Sequence, residues 1–382
     1  MRVTTIDSLQ AVDAAEWNRL IDPDFPFLRH EFLLATELSG SVVAETGWQP
    51  CHLLLRSTGG ELVAALPLYE KTHSWGEFVF DWAWANAYQQ AGLDYYPKLV
   101  SAAPFTPAGS PRVLCGTQDP GPAAAALLDA AIALAKDRSL SSLHVQFPAQ
   151  GELPALQHAG LRLRKDCQFH WHNQGYRNFD EFLARFSSRK RKKARQDRRR
   201  VQVQGITFRR LHGNDLDTAL LATVYRLISR TFLQRGALPY LTERFFEMIS
   251  RALPEQLLVV LAELEGQPIA AAVFYVGKRR LFGRYWGSNG EYDALHFETC
   301  YYQGIEYCID HGLQVFEPGT QGEHKVSRGF VPVTTWSAHW LAHDAFFDAV
   351  ARYLDEEQTH IERYIDDIEA HSPYRRAPDA CQ

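Results

Sequence analysis

From Phe316 to Phe330 the chain reads FEPGTQGEHKVSRGF, setting two carboxylates (Glu317, Glu323), an imidazole (His324) and two cations (Lys325, Arg328) among glycines. Glu317, Glu323 and His324 are residue types that take or give a proton near neutral pH. Lys325 and Arg328 are types that neutralise an oxyanion or a phosphate. Glycine lets backbone N–H groups come close to a ligand. A solvated, salt-bridged surface loop has the same composition and stands as the alternative reading. A second group, His296 and Glu298, falls in the first turn of a predicted helix, and Arg284 lies in the aromatic segment before it. These three are substrate-binding candidates, although packing, capping or ion pairing uses the same residue types.

The elements that must position this loop come in two copies. The loop follows LQVF, an apolar run that reads as a buried strand. Upstream, LLVVLAELEGQPIAAAVFYV reads as a hairpin turning at Glu265-Gly266, LFGRYWGSNGEY as an aromatic strand, and ALHFETCYYQGIEYCIDHGL as a helix. The first half repeats the order: a hairpin turning at Gly59-Gly60, FVFDWAWANAY as the aromatic strand, PAAAALLDAAIALAKDRSL as the helix, and LHVQF as the strand. Gly160-Leu161 and His170-Trp171 match Gly329-Phe330 and His339-Trp340 at one offset of 169 residues. So long a period implies a duplicated domain, not a solenoid. The fold class expected is α/β with mixed sheets and a crossover helix in each of two tandem units, 1–175 and 176–382. The shared His170 and His339 read as a structural hydrogen bond inherited with the strand. Asp293 reads as the N-cap of the second crossover helix.

The first copy's equivalent loop, FPAQGELPAL, keeps Gly151 and Glu152 but has no cation beside them. The first unit is therefore read as recognising substrate and the second as doing chemistry. His73, Glu77, Asp81, Trp82, Trp84, Tyr88, Tyr95, Tyr96 and Lys98 would form an aromatic wall with polar tips, suited to a sugar-peptide or amphipathic ligand. The other reading is an aromatic core with Asp81 satisfied inside it.

Net charge is −5, yet RKRKKARQDRRR at 189–200 alone carries +8, leaving about −13 for the rest. A solvated helix face explains such a run, and so does a polyanion site built on Arg189, Lys190, Lys192, Lys193 and Arg195 for a donor phosphate or RNA. With 46% hydrophobic and 22% charged residues the chain is ordinary globular material. It shows neither a leader pattern nor a stretch of about 18 apolar residues, so a cytoplasmic protein without a membrane span is expected. The six scattered cysteines have no metal spacing. They read as reduced and mostly buried, and no metal site is expected.

GWQP at 47–50, HSWGEFVFDWAWANAY at 73–88, YYPKL at 95–99, PFTP at 104–107, GRYWG at 283–287, LHFETCYYQGIEYCI at 295–309, QGEHKVSRGF at 321–330 and SAHW at 337–340 resemble, nearly end to end, a bacterial family of FemAB-like N-acyltransferases. That resemblance implies a tandem GNAT-like, FemABX-like fold and a role in peptidoglycan biosynthesis or recognition. It also implies aminolysis of an activated acyl group, with aminoacyl-tRNA or acyl-CoA as co-substrate, no tightly bound cofactor, and a muropeptide-like amine acceptor. The spacing of Lys325 from Gly329-Phe330 resembles a lysine motif near the end of the second Fem unit, which favours Lys325 as a donor-side contact. The Gly-rich pyrophosphate loop of ordinary GNAT enzymes is missing, and SNGEYD at 288–293 puts two carboxylates in its place. A non-catalytic muropeptide-recognition protein and an RNA-binding protein are the alternatives.

Overall fold

The computed structural model describes residues 1–116, 121–320 and 322–375. Its strands are β1 (Arg2–Ile6), β2 (Trp48–Pro50), β3 (His52–Arg56), β4 (Leu62–Leu66), β5 (Tyr69–Lys71), β6 (Lys98–Ser101), β7 (Ser142–Gln146), β8 (Arg162–His172), β9 (Thr207–His212), β10 (Leu257–Leu264), β11 (Gln267–Val276), β12 (Arg280–Ser288), β13 (Val315–Glu317) and β14 (Val331–Leu341). Two compact units result. The first comprises Met1–Asp166, Tyr240–Phe245 and Thr334–Glu362; the second comprises Cys167–Pro239, Phe246–Val333 and the segment from Arg363.

In the first unit β1, β3 and β4 form a small sheet, and a second sheet runs β2-β5-β6-β7-β14. In the second unit the order is β8-β13-β12-β11-β10-β9. Each unit contains a parallel pair, β6 with β7 and β12 with β13. A parallel pair needs a crossover. The helix Gly121–Asp137 supplies it in the first unit, and the helical run from Leu295 to Asp310 in the second. Both sheets are mixed and each carries helices, the tandem α/β arrangement expected.

Strands β8 and β14 are each 11 residues long and stand 169 residues apart at both ends. Their ends cross the expected boundary. Ser337–Leu341 of β14 pairs with β7 inside the first unit, and Trp171 and His172 of β8 pair with β13 inside the second. Where the sequence reading placed one cut near Gly175, the compact units are therefore interleaved, because each takes strand residues from the other half of the chain. The buried cores agree. Ala338 packs with Leu53, Leu66, Leu127 and Val145, whereas Trp171 packs with Phe182, Phe274, Ile305 and Phe316.

Three local expectations need correction. The segment read as the first aromatic strand is instead the helix Trp82–Gln90. Ala83, Ala85 and Ala87 favour helix, and Trp84 and Tyr88, four residues apart, share the face that packs on Leu341, Val350 and Leu354. The second crossover helix is interrupted by a π-helical turn, Glu298–Tyr302. Asp293 does not cap that helix: Ala294 occupies the cap with φ +62°, and the Asp293 carboxylate is drawn to Arg200 at 3.3 Å. The basic run lies on the helix Ser188–Val203, which buries Ala194, Asp197 and Val201. No helix among the described residues is long and apolar enough to cross a membrane. Cys51, Cys115, Cys167, Cys300 and Cys308 are free thiols, and Cys381 lies outside the described residues.

Candidate active site

In the second unit β13 ends at Glu317, whose carboxylate receives Arg280 Nη1 at 3.1 Å and lies 3.8 Å from His170 Nε2. Burial holds His170 near pKa 3, so it is neutral. The loop beyond β13 turns at Gly319 (φ +93°) and feeds a single 3₁₀ segment, Glu323–Arg328. That segment divides its side chains. Lys325 and Arg328 point inward, at 2% and 5% exposure, while Glu323 and His324 face solvent.

Lys325 Nζ donates to the Gly319 carbonyl at 2.7 Å and to the Thr320 carbonyl at 3.3 Å. Loss of water from the buried ammonium outweighs those dipoles and lowers its pKa to about 7. Arg328 is held differently. It bonds Asp197 at 3.1 Å and the His324 carbonyl at 2.7 Å, and its guanidinium lies 3.4 Å over the Phe297 ring. His324 Nε2 meets the Tyr301 hydroxyl at 2.8 Å. Burial, then the charges of Arg328 and Lys325, depress the His324 pKa. His296 completes an aromatic group with Tyr301 and Trp286, each ring 5.3 Å away, and burial takes its pKa down to about 4. Glu323 accepts from the Tyr364 hydroxyl at 3.0 Å.

Glu298 is committed elsewhere: Arg198 grips both its oxygens at 3.0 and 3.1 Å, and Gln303 donates at 2.8 Å. Arg284 stays on β12, its guanidinium 5.7 Å from the Tyr285 ring. On the basic helix Lys193 bonds Asp197 at 3.0 Å and Arg195 bonds Asp180 at 3.0 Å. Arg189 and Lys192 are exposed and Lys190 half-buried, and none of the three has an ion pair among the described residues.

The first unit contains its own buried polar group. Lys98 Nζ donates to Glu77 at 2.9 Å, to Ser74 at 2.8 Å and to Asp81. Tyr95 donates to the same Asp81 oxygen at 2.6 Å and lies 3.1 Å from His144 Nε2. Lys98 is fully buried, yet the two carboxylates keep it charged and raise its pKa against desolvation. Tyr96 hydrogen-bonds Ser74 at 2.8 Å, and His73 joins the Thr46 carbonyl at 2.9 Å. Trp84 and Tyr88 belong to the apolar packing of their helix.

Register makes the two copies comparable. His339 pairs with His144 as His170 falls opposite Glu317, so Gln146 corresponds to Gly319. Both carbonyls accept a buried cation at 2.7 Å. In the first unit the donor is Arg112, from another loop, and its neighbour Glu152 is consumed by the backbone N–H groups of Arg112, Val113 and Ala149. A guanidinium does not give up its proton near neutral pH. Of the two equivalent places, the Lys325 side is the one that titrates there.

A family profile described as FemAB-like, peptidoglycan biosynthesis/recognition, matches residues 8–376. The chain belongs to the FemAB-like family. No curated protein matches it. Among solved structures this FemAB-like protein is similar to FemX, at 14% identity and TM-score 0.56 over 92% of this chain and 100% of that one. It is also similar to the C-terminal domain assigned to a lysylphosphatidylglycerol synthetase from Agrobacterium fabrum, at 11% identity and TM-score 0.54 over 89% and 96%. L-PGS from Bacillus licheniformis follows at 12% identity and TM-score 0.51 over 84% and 95%. These likenesses show a FemX-like fold, and the family ties the chain to peptidoglycan biosynthesis or recognition.

The FemAB-like chain thus joins His324, Arg328 and His296 around Tyr301 and Phe297, and sets Lys325 against the β13 loop. Glu317 sits with Arg280 and His170, while Glu323 and Glu298 are held apart from them. Tyr301 is the residue that sequence reasoning passed over. In an α-helix positions five apart do not stack, but the π turn brings His296 and Tyr301 together, and helical periodicity carries no signal for it.

Proposed function

We propose that this protein is an N-acyltransferase that moves an acyl or aminoacyl group from an activated donor to an amine of a peptidoglycan-precursor-like acceptor. The second unit does the chemistry, and the first recognises substrate. Lys325 carries the reading: a buried lysine with a pKa lowered to about 7, anchored to two loop carbonyls. About half neutral at pH 7, it can take a proton from the attacking amine, directly or through water. The amine nitrogen then bonds to the acyl carbon, the bond from that carbon to the donor oxygen or sulfur breaks, and the proton passes to the leaving atom. The neutral His324–Tyr301 pair supplies a hydrogen bond to the oxyanion.

Aminoacyl-tRNA is the preferred donor. The exposed Arg189, Lys192 and Arg199 offer unengaged positive charge. The segment where a coenzyme pyrophosphate would bind carries Glu291 and Asp293, and its helix lasts three residues before the π turn. One observation favours the non-catalytic alternative, muropeptide recognition: Lys325 is only 2% exposed. Incubation with charged tRNA, acetyl-CoA and longer acyl-CoAs separates the two. Donor loss abolished in Lys325→Met, with fold retained by circular dichroism, supports the enzyme. Acceptor binding with no donor consumed replaces it with recognition.

A further inference from the structure

Between His73 and Trp82 the chain makes a turn whose side chains sort by chemistry. Ser74, Glu77 and Asp81 go inward and are buried, while Trp75, Phe80 and Trp82 face solvent at 58%, 51% and 38% exposure. The turn is tied down from beneath. Lys71 Nζ donates to the Trp75 carbonyl at 3.2 Å, Arg164 Nη1 to the Phe80 carbonyl at 2.8 Å, and Lys98 holds Ser74, Glu77 and Asp81 together. Gly76 (φ +81°) packs so closely on Phe105 that a Cβ would lie 2.6 Å from the ring. A stiff backbone thus holds three aromatic rings in water.

We infer that this turn docks on a lipid bilayer, with Trp75, Phe80 and Trp82 entering the boundary between headgroups and acyl chains. The inference goes beyond the acyl-transfer reading and does not depend on it. The three rings expose on the order of 300 Å², well short of the roughly 800 Å² per partner that a stable protein interface buries. A second copy of the chain is therefore a poor occupant. Trp75 and Trp82 meet edge to face, 5.3 Å apart at 61°, so they form no flat platform on which one sugar ring could rest. Diverging indoles beside an exposed phenyl suit a medium that adapts to them, and indole favours the interfacial zone of a bilayer. No lysine or arginine occurs between Thr72 and Pro97. The attraction is therefore apolar, and uncharged lipid suffices.

The test is flotation of the full chain with phosphatidylcholine vesicles, with and without anionic lipid, at low and high salt. Tryptophan quenching by brominated phosphatidylcholine is read alongside, since Trp75 and Trp82 are the exposed tryptophans. Binding to neutral vesicles that persists in high salt, with quenching, and that weakens at least tenfold in W75A/W82A and further with F80A, supports the inference. Three results overturn it: no binding to neutral vesicles, binding confined to anionic vesicles and indifferent to W75A/W82A, or fluorescence that answers soluble glycan fragments and not vesicles. Quenching of the unaltered chain keeps the test decisive even if a variant misfolds. Donor consumption, measured separately, neither rescues nor sinks it.

Discussion

His339 Nδ1 meets His144 Nδ1 at 2.6 Å inside the first unit, a contact that requires one proton between the two rings. The direction follows from the neighbours. Tyr95 gives its proton to Asp81, and with His144 Nε2–H shared between the Tyr95 oxygen at 3.1 Å and the Ser142 hydroxyl oxygen at 2.8 Å, every contact is satisfied by His144 Nδ1 as acceptor and His339 Nδ1 as donor. Ser337 then donates to His339 Nε2 at 2.8 Å. A proton added to His144 would place two donors face to face.

The pair predicts acid sensitivity. Burial holds His144 near pKa 3 and His339 well below its ordinary value, with His170 near 3 and His296 near 4. Unfolded histidine takes its proton near 6.5, so below that pH the unfolded chain binds more protons. Stability is full above pH 6.5 and falls from there towards about pH 4, by up to about 1.4 kcal/mol per pH unit for each histidine. Urea midpoints measured from pH 7 to pH 4.5 should fall steadily, and His339→Gln, though less stable at pH 7, should fall less steeply.

Lys325 predicts two pH profiles. A base must be neutral, so single-turnover donor consumption should rise with pH through about 7 in the native protein. Lys325→Arg, which stays charged, should lose at least about 100-fold. The folded pKa lies below the unfolded value, so stability should rise with pH between about 7 and 10. Lys71, also lowered to about 7 by burial, shares that window, and Lys325→Met and Lys71→Met should each remove part of the slope.

Arg328→Ala should cost about 3 kcal/mol, because Asp197 is buried and, among the described residues, keeps only Lys193 and Tyr302 as side-chain partners, and Phe297 loses its cation. Thermal unfolding measures it. Arg328→Lys should restore little, since an ammonium cannot both stack on Phe297 and reach the His324 carbonyl.

Gly287→Ala should prevent the second unit from folding. Its Cβ would stand 1.8 Å from the Leu227 carbonyl, where the helix Thr218–Gln234 crosses β12 backbone to backbone. Far-ultraviolet circular dichroism and the soluble fraction after expression report the outcome. Gly290→Ala, whose Cβ finds 3.4 Å of room against Tyr292, should be mild.

Neutralising Arg189, Lys192 and Arg199 to glutamine should leave the melting temperature within about 2 °C, because these side chains are exposed and none forms an ion pair among the described residues. Affinity for tRNA should drop, and the salt dependence should lose about one unit of slope per neutralised contact. Unchanged RNA binding would detach this helix from the donor.

The duplication, the crossover helices and the β8–β14 correspondence were legible because a 169-residue offset survives in residues that pack. The helix Trp82–Gln90 was not: alternating aromatics imitate a strand, and only the face shared by Trp84 and Tyr88 decides between them. The loop after β13 was legible as a collection of groups but not as an arrangement. A 3₁₀ turn sends Lys325 and Arg328 one way and Glu323 and His324 the other, and spacing alone does not say which. Arg112 taking the place of the missing lysine in the first copy could not be read either, since it arrives from a different loop.

The interleaving of β8 and β14 bears on the ancestry of the chain. Each duplicate completes its sheet with residues encoded in the other, so neither could later be discarded, shuffled or inherited alone without stranding its sibling. Halves severed at residue 175 should be insoluble apart and regain structure when mixed. The gene doubling that produced them was in that sense irreversible.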